Sequence, residues 1–378
     1  MPSMKPPDLS AFPPLEMPTR LLLGPGPSTV HPRVLAAMSG PVVGHLDPYF
    51  LEIMDRIQNL LRYTFQTDNE LTLPVSGTGS AAMEAALANA IEPGDPALIC
   101  IQGYFGQRLA EMARRYGADV ETISRPWGEV FALDEIRQAL RKRPARAVAI
   151  VQAETSTGAL QPLEGLADLI HDQGGILIVD AVTSLGGVPL KVDELHIDVC
   201  YSGSQKCLGS PPGLGPITFG RDAEKRLFDR RIPVANWYLD LAALRKYWGK
   251  ERNYHHTAPI SANFALYESL RLLAEEGLAA RWERHRRNAS LLWEGLEALG
   301  LELHVRLEHR LPCLTTVRVP EGVDEAAVRR DLLATYNIEI AGGLGELKGK
   351  VWRIGLMGHG SQPENVLTLL AALKELLG

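Results

Sequence analysis

Three groups of residues in this sequence could do chemistry, and each stands just after a short apolar run. Lys206 lies in "YSGSQKCLGSPPG" (201–213), where small and turn-forming residues clear space around a single amine. A solvated surface lysine needs no such clearance, whereas an amine in apolar or cationic surroundings holds its proton less tightly and becomes a nucleophile. Asp180 closes the run "GILIVD" and is followed by "AVTSLGG", which puts a carboxylate at the end of a buried strand. "VSGTGSAAMEAAL" (75–87) passes from a strand through glycines and hydroxyl residues into a helix. The N–H groups at a helix start attract anions such as phosphate. Each group has an ordinary alternative: a surface lysine, an N-cap or structural ion pair at Asp180, and a capped turn with Ser76 or Thr78 as N-cap. Taken together they match the needs of pyridoxal phosphate, which requires an amine for its aldehyde, an acid for its ring nitrogen and an anion site for its phosphate.

The elements that must position these residues alternate between strand and helix. "LTLPVS", "PALICI", "DVETIS", "RAVAIVQ", "GILIVD" and "IDVCYS" read as strands. Between them, "GSAAMEAALANAI", "GQRLAEMARRYG", "LDEIRQALRKR" and "PLEGLADLIHDQG" carry helical spacing. Apolar strands alternating with amphipathic helices predict an α/β fold with a mostly parallel sheet covered on both faces. In such sheets ligands sit beyond the carboxyl ends of the strands, where Lys206, Asp180 and the 76–80 turn all fall. The pattern changes near residue 260. A long charged helix over "FALYESLRLLAEEGLAARWERHRRNASLLWEGLEALG" precedes strands at "LELHVR", "CLTTVRV" and "KVWRIGL" and two further helices. The expected organisation is an N-terminal extended arm over 1–20, a large domain over 21–260 and a smaller C-terminal α+β domain over 261–378.

Composition narrows the function classes. The chain has 378 residues, 46% hydrophobic content and a formal net charge of −6. That length and apolar content allow two domains with sizeable cores, and the acidic balance argues against a nucleic-acid or membrane-surface partner. Cys100, Cys200, Cys207 and Cys313 show no paired metal spacing and are expected to stay as thiols in a reducing compartment. Six prolines in the first twenty residues and no apolar core there are unlike a signal peptide. A cytoplasmic location is the expectation.

Arg353 interrupts the apolar run of "KVWRIGLMG". A buried guanidinium needs an anion, and its planar fork suits a carboxylate; a snorkelling edge-strand arginine is the alternative. "NYHHTAP" (253–259) holds adjacent histidines, but neighbours in an extended segment point to opposite sides and cannot clasp one ion, so no metal is expected. "LLLGPGPS" (21–28) forms a rigid turn whose backbone can approach a ligand closely.

These motifs resemble, collinearly and over nearly the whole chain, the class V aminotransferases of fold type I, which use pyridoxal phosphate. The similarity is nearest to alanine–glyoxylate and serine–pyruvate aminotransferases. It runs through "LLLGPGPS", "FQTDNELTLPVSGTGS", "YFGQR", "ETSTGALQPL", "VDAVTSLGG", "YSGSQKCLGSPPG", "YHHTAP" and "AGGLGELKGKVWRIGLMG". The resemblance implies that Lys206 is the Schiff-base lysine and proton carrier, and that Asp180 pairs with the ring nitrogen. It implies that Thr78, Gly79, Ser80 and Gln205 hold the phosphate, that Thr155 lies near the phenolic oxygen and that Phe105 stacks on the ring. Relatives of the mammalian type carry Trp at the position of Phe105 and His at that of Ser80. The resemblance also implies a homodimer in which Tyr254 and Thr257 reach the partner subunit's phosphate. It places Gly26, Thr155 and Arg353 at the substrate, Arg353 as the carboxylate clamp; His45 could line the entrance or be an ordinary loop residue. The implied reaction is ping-pong transamination between a small amino acid, alanine or serine, and glyoxylate or pyruvate. Ureidoglycine–glyoxylate aminotransferases are similar but tend to carry Asn where this chain has Tyr254. A cysteine desulfurase or lyase of the same fold would need Cys313 as a mobile nucleophile.

Overall fold

A computed structural model describes residues 7–378. Its centre is a seven-stranded sheet of β1 (Leu71–Ser76), β2 (Pro96–Ile101), β3 (Asp119–Ser124), β4 (Ala147–Val151), β5 (Ile176–Asp180), β6 (Val199–Tyr201) and β7 (Leu214–Phe219). The spatial order is β1-β7-β6-β5-β4-β2-β3. All strands run in one direction except β7, which is antiparallel to both β1 and β6. β4 and β5 are buried along their whole length, as continuous apolar runs in a sheet covered on both faces must be. β7 is the strand that the sequence hid, because Gly215 and Pro216 break its apolar run.

The second sheet is antiparallel, with β8 (Leu314–Arg318), β9 (Ala341–Gly342) and β10 (Val351–Gly355) in the order β8-β10-β9. The helices Glu325–Tyr336 and Pro363–Leu377 supply Val328, Leu332, Val366, Leu369 and Leu373 to the core beneath it. The stretch "LELHVR" is not a strand; Leu303 makes a single bridge to Val317.

The two cores divide the chain differently from the expected boundaries. The long charged helix is two helices, Ile260–Glu276 and Leu278–Ala298, broken at Gly277, whose φ of +80° suits glycine. Leu266, Leu270 and Leu273 of the first helix pack into the large-domain core. Leu292 and Leu296 of the second join the small core with Trp352 and Ile354. The seam therefore falls inside the second helix rather than at 261. Residues 21–23 also belong to the small domain: Leu21–Leu22 pairs in parallel with Ile338–Glu339, and Leu23 is buried in the small core. Periodicity shows that a helix has an apolar face but not which core that face meets. Of the arm, residues 1–6 lie outside the described residues, Leu9–Ala11 forms one helical turn, and residues 7–19 are exposed.

Candidate active site

The carboxyl ends of β5 and β6 meet the amino end of the helix Gly79–Ala90 around a cavity of ≈ 190 Å³. Thr78, Gly79, Ser80, Phe105, Thr155, Asp180, Gln205 and Lys206 all line it. Eight of the expected residues, from five segments of the chain, are thus brought to one place.

The glycines make the close approach possible. A Cβ on Gly79 would lie 3.2 Å from Val182, and one on Gly203 would lie 3.4 Å from the Cα of Gly79. The helix start and the Ser-Gly-Ser-Gln turn therefore pack backbone against backbone. Thr78 takes the N-cap position, but its hydroxyl caps nothing, and Ser76 Oγ instead lies 2.6 Å from His256 Nε2. The capped-turn alternative fails for both residues. The N–H groups of Gly79 and Ser80 open the helix at the cavity, with no carbonyl one turn back to bond them, and such groups can hold an anion. The amide oxygen of Gln205 is buried without a partner, an orphan that the fold leaves at the same site.

Asp180 ends β5 directly opposite Tyr201 in β6. Its carboxylate accepts the Val182 N–H at 2.8 Å and the Tyr201 hydroxyl at 2.9 Å. Burial pushes its pKa up to about 6, against the opposing pull of those two bonds and of the charges on Arg108 and Lys206. A cation beside it, such as a protonated ring nitrogen, would restore the ionised form. Lys206 is half-buried, and its amine donates to the Pro25 carbonyl. Desolvation first, then the positive field of Arg353, lowers its pKa to about 8. The "LLLGPGPS" turn is fastened to this lysine: Ser28 N–H donates to the Gln205 carbonyl at 2.9 Å, and Ser28 Oγ to the Lys206 carbonyl at 2.8 Å. Gly26 has φ +107°, and a Cβ there would come within 2.7 Å of Lys206 Nζ. Only glycine fits against the working amine.

Arg353 reaches the site from β10 across the domain seam. Its Nε donates to the Gly342 carbonyl at 2.7 Å, and one terminal nitrogen donates to the Thr155 carbonyl at 3.1 Å. It is 6% exposed, so the snorkelling alternative fails. Burial lowers its pKa to about 10, opposed by the Glu154 carboxylate.

Sequence reasoning missed Arg108, Tyr201 and Glu154. Arg108 donates to Ser80 Oγ at 3.0 Å, and its guanidinium stacks over the Phe105 ring at 4.8 Å. The signal was present in "YFGQR", where Arg108 lies one helical turn beyond Phe105.

Tyr254 and Thr257 lie outside this cavity. Both are exposed, with the Tyr254 hydroxyl 3.5 Å from Thr257 Oγ1 and the Tyr254 ring 5.1 Å from that of His45. His45 is thus a neighbour of Tyr254 rather than part of the cavity wall. The adjacent histidines do not point apart as expected: the segment is irregular, and their Nδ1 atoms lie 2.9 Å from each other. The remaining nitrogens face Trp237 O at 3.3 Å and Ser76 Oγ at 2.6 Å, which leaves no open coordination face. Cys207, His285 and Cys313 also cluster. His285 Nδ1 bonds the Arg281 carbonyl at 2.8 Å while Nε2 accepts from Gly358 N–H at 3.0 Å, so it has no lone pair left for a metal. Cys313 is fully buried and burial pushes its thiol up, the opposite of a mobile nucleophile.

A phosphate cradle, a buried acid and a low-pKa lysine at the strand ends of one sheet define a fold-type I pyridoxal-phosphate enzyme. The sequence profile of aminotransferase class-V matches residues 22–349, and the chain belongs to that family. An alanine–glyoxylate aminotransferase of Felis catus is 44% identical over 368 residues, covering 96% of this chain and 89% of that protein. An (S)-ureidoglycine–glyoxylate transaminase of Bacillus subtilis (strain 168) is 42% identical, covering 95% and 91%. The crystal structure of an alanine–glyoxylate aminotransferase from Nostoc sp. superposes with a TM-score of 0.97 at 58% identity, covering 99% of this chain and 100% of that one. The protein is a pyridoxal-phosphate-dependent aminotransferase.

Proposed function

We propose that this enzyme moves the amino group of L-alanine or L-serine to glyoxylate or pyruvate, in the cytoplasm and as a homodimer. The observation that carries the reading is Arg353: a buried guanidinium bonded to the Thr155 carbonyl at the edge of the Lys206 cavity. Its planar fork suits the α-carboxylate that both partners share. Bound at the cradle, pyridoxal phosphate supplies an aldehyde for the amino group and a ring that draws electrons from the substrate Cα. The Gly79 and Ser80 N–H groups, the Thr78 hydroxyl and the Gln205 amide hold the phosphate. Asp180, fixed by Val182 N–H and Tyr201, keeps the ring nitrogen protonated. Phe105, backed by Arg108, would stack on the ring, and Thr155 would serve its phenolic oxygen. Lys206, with a pKa of about 8, has roughly a tenth of its molecules in the free-amine form at pH 7. It can therefore take the proton from Cα and return it to the other end of the transferring system. Gly26 limits the room above that amine, which favours a small side chain. Tyr254 and Thr257, exposed outside their own chain's cavity and called the rim below, would reach the phosphate of the second subunit.

The names of the relatives support glyoxylate as acceptor, and the four buried free cysteines suit a reducing compartment. The test is a pair of half-reactions. L-Alanine or L-serine alone should bleach the long-wavelength absorbance of the bound cofactor, and glyoxylate or pyruvate should restore it. Bleaching by (S)-ureidoglycine but by neither L-amino acid would transfer the assignment to the ureidoglycine branch, and no bleaching by any small amino donor would sink it.

A further inference from the structure

We propose that Glu154 is a positioning residue that fixes the Phe105 wall and the Thr155 wall of the cofactor cavity in one register. The inference rests on the cofactor reading above but concerns a side chain to which that reading gives no role.

Glu154 is fully buried, and its two carboxylate oxygens face two different segments. Oε2 accepts the N–H groups of Phe105 at 3.1 Å and Gly106 at 3.3 Å. Oε1 accepts Ser156 N–H at 3.1 Å and Ser156 Oγ–H at 2.6 Å. Ser156 Oγ in turn accepts Tyr104 N–H at 2.9 Å. The opening N–H groups of the helix Tyr104–Arg115 are therefore satisfied by Glu154 and Ser156, some fifty residues away in sequence. A helix start usually takes its cap from the residue just before it. Here that residue is Gly103, which has no side chain to offer, and a Cβ on it would stand 2.4 Å from Glu154 Cγ and 2.6 Å from Ser156 Oγ. The glycine makes room for the distant cap.

The consequence is geometric. The helix carries Phe105 and Arg108 into the cavity, and the capping turn carries Thr155. The Glu154 carbonyl also accepts Gly158 N–H at 2.8 Å and so closes that turn. The Thr155 carbonyl is the acceptor for Arg353. One carboxylate thus ties the ring-stacking wall to the turn that holds the substrate clamp. Burial pushes the Glu154 carboxyl up to about 7, so the anionic form that opposes the effect of burial on Arg353 grows as the pH rises through neutrality. Desolvating such a group is unfavourable by itself, and four donors on one side chain offset part of that penalty.

Glu154→Gln keeps size and shape but presents one oxygen and one NH₂ where two acceptors are needed. Either the helix side or the turn side loses its bonds. Apoprotein of the wild type and of Glu154→Gln is titrated with pyridoxal phosphate, reading the dissociation constant and the visible circular dichroism per bound cofactor, with no substrate present. The expected result is a dissociation constant raised roughly 10- to 100-fold and a weakened dichroic band, since the ring no longer lies at a fixed angle to Phe105. With saturating cofactor, KM for the amino donor should rise through the loosened Thr155–Arg353 contact. Wild-type affinity and dichroism in a folded Glu154→Gln protein would overturn the proposal. Should that variant not fold, Ser156→Ala, which leaves the carboxylate in place, is expected to shift both readouts in the same direction by a smaller factor. Wild-type values there would overturn it equally. Failure of the wild-type apoprotein to take up the cofactor would instead sink the reading on which the proposal rests.

Discussion

Asp180 and Tyr254 both serve pyridoxal phosphate in the reading developed above, one within its own chain and the other across the proposed dimer, yet they are built into the protein in opposite ways. Asp180 is 3% exposed, at the end of a fully buried strand, with both carboxylate oxygens bonded. Tyr254 is 60% exposed on an irregular segment, and its hydroxyl meets only Thr257 at 3.5 Å. At the floor of the cavity, Asp180 has its charge and direction set by the buried strand it ends and by Val182 and Tyr201. The rim is left open to water by its own chain. The contrast teaches that floor residues have their chemistry tuned through burial, whereas rim residues would act, in the proposed dimer, only once a second surface covers them.

Removing the amine breaks the floor most severely. Lys206→Ala should keep the fold, because the clearance around Lys206 comes from Gly26 and the Ser-Gly-Ser-Gln turn rather than from the lysine. Loss of the proton carrier is worth roughly 10²- to 10⁴-fold in rate, and loss of the nucleophile adds to it. Stopped-flow bleaching with L-alanine measures the effect. A variant within tenfold of wild type would show that the floor does not work through this lysine. Next in size is the clamp. Arg353→Lys keeps the charge but loses the fork, and a hydrogen bond to a charged group is worth about 1.5–3 kcal/mol. KM for amino donor and keto acid should rise together, roughly 10- to 100-fold, with a smaller change in kcat. A fall confined to kcat would place Arg353 outside carboxylate binding.

The same contrast explains what the sequence disclosed. Asp180, Lys206 and the 78–80 turn were legible because each closes a continuous apolar run, and such runs end at the ligand side of a parallel sheet. β7 was not, because Gly215 and Pro216 interrupt it and nothing local says that a strand returns antiparallel between β1 and β6. The domain seam was misplaced because the helix Ile260–Glu276 buries its face against the helix Pro48–Phe65, a pairing that periodicity cannot reveal. Glu154 was overlooked because two of its four donors lie some fifty residues upstream. The facing pair His255 and His256 was misread by applying strand alternation to a segment that is not a strand. Tyr254 and Thr257 took their roles from family resemblance, which also chose the clamp over a snorkelling side chain for Arg353; the structure bears on the clamp but leaves the rim to experiment.

That experiment can separate the two halves of the comparison. Tyr254→Ala should weaken cofactor affinity by roughly tenfold or more, the worth of a bond to a charged phosphate. If Tyr254 serves the other subunit, mixing Lys206→Ala with Tyr254→Ala protomers should regain activity at limiting cofactor. In a mixed dimer one site carries both defects and the other carries neither. Activity never exceeding the sum of the two parents would return Tyr254 to its own chain.

The smallest effect isolates the floor from the rim by titrating it. The Lys206 amine is lowered to about 8 by desolvation and by Arg353, and only its unprotonated form attacks an aldehyde. Capture of pyridoxal phosphate by apoprotein should therefore accelerate by about tenfold between pH 7 and 9 and level off above it. An ordinary lysine, at its unshifted value, would still be accelerating at pH 10. Removing the positive charge with Arg353→Gln should move the midpoint upward, because one of the two causes of the shift is gone, while Tyr254→Phe should leave the midpoint where it is. A midpoint that moved with Tyr254 and not with Arg353 would mean that the rim, and not the buried floor, sets the reactivity of the amine.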